Sequence, residues 1–144
     1  AQLIAGQVAD LEGEGKSVSK SQLKYIHERK TSALLTCSVK LGGMAANCTP
    51  RQLEALTEFG YNVGLAFQVI DDILDVTQTS KKLGKTAGKD EAAQKATYPS
   101  VVGLDNARKI ATKLTTKAYD ALKPFKGRAI ALEAMADYLL KRDH

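Results

Sequence analysis

The stretch Phe67-Gln68-Val69-Ile70-Asp71-Asp72-Ile73-Leu74-Asp75 ends an apolar helical run with three carboxylates. At helical spacing Asp71 and Asp75 share one face, Asp72 reaches the same rim one residue round, and Gln68 stands on that side a turn earlier. Like charges so placed repel by about 0.2–0.5 kcal/mol per pair, so a cation is expected to offset them. An oxygen-only donor set without Cys or His points to a hard ion. Room left for water and phosphate suits Mg²⁺ better than a closed Ca²⁺ cage. Taken alone, the cluster reads equally well as a solvated acidic helix end.

Lysines flank it in sequence. Lys30-Thr31 lies mid-helix beside Leu34, Gly84-Lys85 follows Asp75 by nine and ten residues, and Lys95-Ala96-Thr97-Tyr98-Pro99 comes next. A lysine on an apolar face is commonly a snorkelling side chain. Lysines converging on carboxylates make better sense with a polyanion and Mg²⁺ between them.

The elements that must position these groups read as helices, since alternating β-branched runs bounded by hairpin dipeptides are absent. A first helix runs to about Val8 and gives way to a loop at Asp10–Gly15. Ser19 or Ser21 caps a second, from about Gln22 toward Ala46, with Leu23, Ile26, Lys30, Ala33, Leu34, Cys37 and Leu41 on one stripe. Thr49-Pro50 starts a third, roughly Arg51 to Val76, with Leu53, Leu56, Phe59, Val63, Phe67, Ile70 and Leu74 as its apolar stripe. This element is expected to be the most buried. Gly60 and Gly64, one turn apart inside it, call for the close approach of another helix or a ligand. A polar loop follows from Thr77 to Gly88, then a short element at Pro99 and amphipathic helices over Asp105–Leu122 and Gly127–Lys141. The fold class is all-α, a bundle with short loops.

The 144 residues suit one domain, and 44% hydrophobic with 26% charged residues excludes disorder and disulfide-rich miniproteins. No apolar stretch approaches the ~20 residues of a membrane span, and no secretory signal is visible. Ala1–Gly6 reads as helix interior without a capping residue, so the chain is expected to begin mid-element. The charge of +5 is scattered, with no basic run and no Trp, which argues against nucleic acid. Cys37 and Cys48 suggest neither zinc nor redox chemistry and are expected to be small buried hydrophobes in a reducing cytoplasm.

The ordered set Gly6-Gln7-x-x-Asp10-Leu11, Lys30-Thr31, Phe67-Gln68-x-x-Asp71-Asp72-x-x-Asp75, Gly84-Lys85 and Lys95-x-Thr97-Tyr98-Pro99 resembles the C-terminal half of trans-isoprenyl diphosphate synthases. The likeness is nearest to bacterial farnesyl or geranyl diphosphate synthases and runs from about Leu3 to Arg142. It implies the isoprenoid synthase helical bundle and a prenyltransferase. In that reaction an allylic diphosphate held by Mg²⁺ ionises, the double bond of isopentenyl diphosphate attacks the allylic cation, and a proton is lost.

By matching position, Asp71, Asp72 and Asp75 would be the second aspartate-rich motif and its metal-binding residues, with Asp71 and Asp75 the more direct ligands. Lys30 and Lys85 would contact the allylic diphosphate, Lys95 would support the metal and phosphate cluster, and Thr31 and Gln68 would offer oxygen dipoles near the cation. Gln7 and Asp10 would be structural and metal-adjacent. Phe67 would either face the cation or pack in the core. The family pattern is longer than this chain. Residues 1–144 are therefore expected to be the C-terminal portion of one domain, without the first aspartate-rich motif, the isopentenyl diphosphate pocket or the residues that set product length. Farnesyl diphosphate is the expected product, the intact enzyme a cytoplasmic homodimer, and this chain alone inactive. The other readings are a noncatalytic helical subunit of a synthase and a basic helical module on an anionic membrane.

Overall fold

A computed structural model describes residues 1–13, 16–82 and 96–141, and among them there is no strand. The helices are α1 (Gln2–Gly13), α2 (Lys20–His27), α3 (Ala33–Ala45), α4 (Pro50–Lys82), α5 (Tyr98–Val102), α6 (Leu104–Leu122) and α7 (Ile130–Leu140). A π turn, Glu28–Ser32, joins α2 to α3 without a break, and a 3₁₀ turn, Lys123–Phe125, follows α6. The all-α expectation holds, and no described helix is long and apolar enough to cross a membrane.

Local chemistry sets the boundaries. Ser19 caps α2 in a capping box: its hydroxyl accepts from the Gln22 amide (3.3 Å), and its own amide donates to Gln22 Oε1 (2.8 Å). Thr49 and Gln52 repeat the device at the start of α4 with bonds of 3.3 and 2.9 Å, and Pro50 opens the helix where no amide is needed. After α3 the chain turns through Asn47 at φ 54°. The Asn47 and Cys48 amides return to Met44 and Gly43 carbonyls, closing the last turn.

Two boundaries differ from expectation. α1 continues through Asp10 and Leu11 to Gly13 instead of ending near Val8. α4 runs on to Lys82, so its aspartates have further helical turns after them instead of ending the helix. Of the expected polar loop, the part after Lys82 lies outside the described residues.

The centre of the molecule is α4, lined on one side by α6 and on the other by α3. Leu56, Phe59 and Val63 are buried as the stripe requires, while Leu53, Phe67, Ile70 and Leu74 are half-buried. Leu65, Ala66 and Val69 are also fully enclosed because neighbours cover two sides of the helix. α6 meets α4 with small residues, Ala107, Ala111, Ala118 and Ala121, which lets the backbones approach closely. Cys37 is exposed and Cys48 half-buried, so neither is the buried hydrophobe expected of it.

Candidate active site

The π turn decides how the Lys30-Thr31 segment is presented. A π turn inserts one residue into an α-helix and shifts every later side chain by about 100°. Leu23, Ile26 and His27 are buried on α2. A continuous α-helix would next bury Lys30, Leu34 and Leu41. Instead the five residues Glu28–Ser32 bring Ser32 onto the buried face, followed by half-buried Leu35 and Val39 and buried Gly43. Leu34 and Leu41 are left 55% and 60% exposed, so the single apolar stripe expected along this helix is two stripes in different phase.

Three glycines let other helices reach this turn. A Cβ on Gly6 of α1 would stand 2.4 Å from the Lys30 amide nitrogen. One on Gly64 of α4 would stand 2.5 Å from Ser32 Cα, and one on Gly60 would stand 2.7 Å from Thr36 Cα. The close approach expected at Gly60 and Gly64 is therefore made by the π turn and α3. Ser32 Oγ adds a bond across the junction to the Tyr61 carbonyl at 2.8 Å.

Lys30, half-buried, donates to the Asp10 carboxylate on α1. This pair unites two residues that stand twenty apart in sequence, one on α1 and one on the π turn. Glu28, two residues before Lys30, accepts from the Tyr61 hydroxyl and pairs with Lys24 at 3.2 Å. Burial, and then the bond to Glu28, raise the Tyr61 phenol above its ordinary pKa, while the bond to Glu28 raises that of Lys24.

Along α4 from Gly64, Gln68 lies one turn on, and Asp71 and Asp75 follow at roughly 10 and 16 Å of axial rise. Gln68 and Asp71 are half-buried and Asp75 is exposed, so this face carries two carboxylates toward the surface. Asp72 does not reach the same rim. It is 5% exposed, its Oδ2 accepts the Tyr98 backbone amide at 2.9 Å, and His27 Nε2 lies 3.8 Å from the same oxygen. The His27 ring stands 5.4 Å from the Tyr98 ring, whose phenol is raised in pKa chiefly by burial. Among the described residues no three His, Cys, Asp or Glu side chains are grouped to hold a metal by themselves. Lys85 and Lys95 lie outside the described residues.

His27 and Ser32 were not singled out by the sequence, and Tyr98 was named only within the Lys95–Pro99 motif, with no role of its own. His27 sits one turn before Lys30 and shares the α2 face of Leu23, a position that periodicity would assign to the core. Tyr98 contributes to the acidic helix through its backbone amide, which no residue type announces.

The described residues form an all-helical bundle with an oxygen-donor face on its central helix, the all-α fold of the isoprenoid synthases among the solved structures it superposes on. A sequence model described as Polyprenyl synthetase matches residues 1–136. The chain is 48% identical over 143 residues to a dimethylallyltranstransferase of Fischerella ambigua, covering 99% of this chain and 41% of that one. It is also 48% identical over 144 residues to a chloroplastic geranylgeranyl pyrophosphate synthase of Capsicum annuum, covering 99% and 39%. It superposes on the geranyltransferase of Helicobacter pylori, solved in complex with magnesium and isoprenyl diphosphate, with a TM-score of 0.74 and 32% identity over 96% of this chain and 46% of that one. The chain belongs to the polyprenyl synthetase family. It spans about two fifths of the length of the curated relatives it matches, over their C-terminal portion.

Proposed function

We propose that residues 1–144 are the C-terminal portion of a single polyprenyl synthetase domain. In the whole protein they would supply the second aspartate-rich motif of a prenyltransferase that joins isopentenyl diphosphate to an allylic diphosphate. The observation that carries this reading is the family match over residues 1–136, within which α4 bears Asp71 and Asp75 on one accessible face.

That face fits Mg²⁺. Its donors are carboxylate oxygens alone, and two of them leave coordination positions for water and phosphate oxygens. Asp71 and Asp75 would hold the ion, which supplies neutralisation of the diphosphate as its C–O bond breaks. Lys30, on the π turn and oriented by Asp10, would bind the allylic diphosphate, joined by Lys85, with Lys95 supporting the metal and phosphate cluster. Thr31 and Gln68 would turn neutral oxygens toward the cation, where a carboxylate could trap it.

Farnesyl diphosphate is the product we propose. The geranylgeranyl name carried by the Capsicum relative favours a longer product as the second reading. The intact enzyme would be a cytoplasmic homodimer, and this chain alone would not turn over.

The test is condensation of radiolabelled isopentenyl diphosphate with dimethylallyl or geranyl diphosphate by the complete reading frame, with products separated by chain length. Mg²⁺-dependent C15 product, abolished by Asp71→Ala, is expected. A C20 product would select the second reading. An active complete protein whose Asp71→Ala variant keeps its rate would overturn the site, and turnover by the 144-residue chain would overturn the view of it as an incomplete half.

A further inference from the structure

We propose that Asp72 is a tether and not a metal ligand. With His27 it acts as a positioning residue that fixes the stretch of α4 carrying Asp71 and Asp75. The inference rests on the reading of that face as a diphosphate and Mg²⁺ site, and deepens it by dividing the three aspartates between two tasks.

Asp72 is the only buried member of the three, and its Oδ2 lies 2.9 Å from the Tyr98 amide. That amide is the first of α5, where an N–H has no partner within its own helix. His27 Nε2, 3.8 Å from the same oxygen, comes from the last residue of α2, immediately before the π turn that carries Lys30. One carboxylate thus joins α2, α4 and α5, the helices that with α6 supply the core cluster of Leu23, Val69, Tyr98 and Ala107. The Thr97–Ser100 capping box, with the Ser100 amide on Thr97 Oγ1 at 3.3 Å and the Thr97 amide on Ser100 Oγ at 2.9 Å, fixes the start of α5. The Tyr98 amide is thereby aimed at α4.

A carboxylate whose oxygen is engaged from two sides in a closed core is badly placed to turn outward to an ion. Its neighbour Asp71, about 100° round the helix, is well placed. The tether holds α4 in rotation and depth against α2 and α5, and so holds the spacing of Asp71 and Asp75 relative to Lys30.

The experiment uses the protein of the complete reading frame, with Mn²⁺ and inorganic diphosphate as probes. Mn²⁺ affinity is read by electron paramagnetic resonance and exchange of the Tyr98 amide by ¹⁵N NMR. Asp72→Ala is expected to lower Mn²⁺ affinity by roughly tenfold, the usual scale for groups that orient ligands. It should also speed Tyr98 amide exchange by roughly tenfold, as loss of one buried hydrogen bond requires. Asp72→Asn keeps an acceptor oxygen and should restore both to within about threefold, because the tether needs the bond more than the charge. Asp71→Asn should lose Mn²⁺ and leave Tyr98 exchange unchanged.

If Asp72→Asn loses Mn²⁺ as fully as Asp71→Asn while Tyr98 stays protected, Asp72 is a ligand and the proposal falls. It falls equally if Asp72→Ala leaves Tyr98 exchange unaltered. If Asp72→Ala does not fold, the Asn pair at positions 71 and 72 still decides the metal question. A complete wild-type protein that binds no Mn²⁺ refutes the metal reading of the face. The tether is then judged by whether the Asp71 and Asp75 amide shifts move in Asp72→Ala and return in Asp72→Asn.

Discussion

Replacing Gly64 by alanine tests whether the π turn is seated directly on α4. The added Cβ would stand 2.5 Å from Ser32 Cα, 2.9 Å from its Cβ and 3.1 Å from its Oγ. Carbon atoms rest at about 3.5–4.0 Å, so the turn and α4 must separate by roughly 1 Å, and the nearest atom is backbone and cannot rotate away. Overpacking of this kind costs about 1–3 kcal/mol. Separation also strains the 2.8 Å bond from Ser32 Oγ to the Tyr61 carbonyl, a bond of about 1 kcal/mol. Against this stands the gain in helix propensity from Gly to Ala, about 1 kcal/mol. The clash wins, leaving a net loss of about 1–3 kcal/mol, which for a chain of this size lowers Tm by about 3–12 °C. Gly42→Ala is the control. It lies in α3, is exposed, and a Cβ there meets nothing within 4 Å. Only the propensity term acts, so its Tm should rise by a few degrees. Both values come from thermal unfolding followed by far-ultraviolet circular dichroism. A Gly64→Ala protein as stable as wild type, or more so, would refute the contact between turn and helix.

Three further expectations concern other parts of the chain. Tyr119 donates to Asp137, and burial and then this bond push its phenol from 10.0 up to about 12. Its raised folded pKa means that its contribution to stability is complete below pH 10 and is lost as pH rises from about 10 toward 12. Urea unfolding across that range should show the fall in wild type and a weaker one in Tyr119→Phe. Thr49→Ala removes the hydroxyl that accepts the Gln52 amide and should cost about 1 kcal/mol of stability in urea unfolding. The apolar residues Ile4 and Val8 of α1 and Leu34, Leu41 and Met44 of α3 are 48–69% exposed, so the isolated chain should self-associate at micromolar concentration. Light scattering after gel filtration should show this, with Leu34→Lys and Leu41→Lys moving the mass toward the 15.5 kDa monomer.

Much of the fold was legible because helix starts are written in single residues. Ser19 and Thr49-Pro50 each precede a helix that begins where they indicate, while the Thr97 cap of α5 was not read. Ends were harder to read. The Gly13 region suggested a loop from Asp10 onward, but Asp10 stays helical and pairs with Lys30, a residue far away in sequence. The π turn was invisible for a related reason. Its sequence, Glu-Arg-Lys-Thr-Ser, is ordinary helix-forming material. What favours the extra residue is tertiary: Gly6 on one side and Gly64 on the other admit the turn, and neither signals its partner. Reading one apolar phase through Lys30 and Leu34 therefore put Leu34 and Leu41 on the wrong side.

The acidic cluster shows the same limit at the scale of one residue. Asp71 and Asp72 are chemically identical and adjacent, and spacing alone groups both with Asp75. What separates them is the about 100° that one helical residue turns, which leaves Asp71 half-buried and turns Asp72 toward α2 and α5. A carboxylate turned inward is tolerable only with hydrogen-bond donors waiting for it. The donor here is a backbone amide at the first position of α5, with a buried histidine beside it. The histidine is in no motif, and the motif that contains Tyr98 does not say that its amide serves Asp72. The number of aspartates on a helix therefore sets an upper bound on its metal ligands. Which of them serve is decided by the donors the rest of the chain brings to the other side.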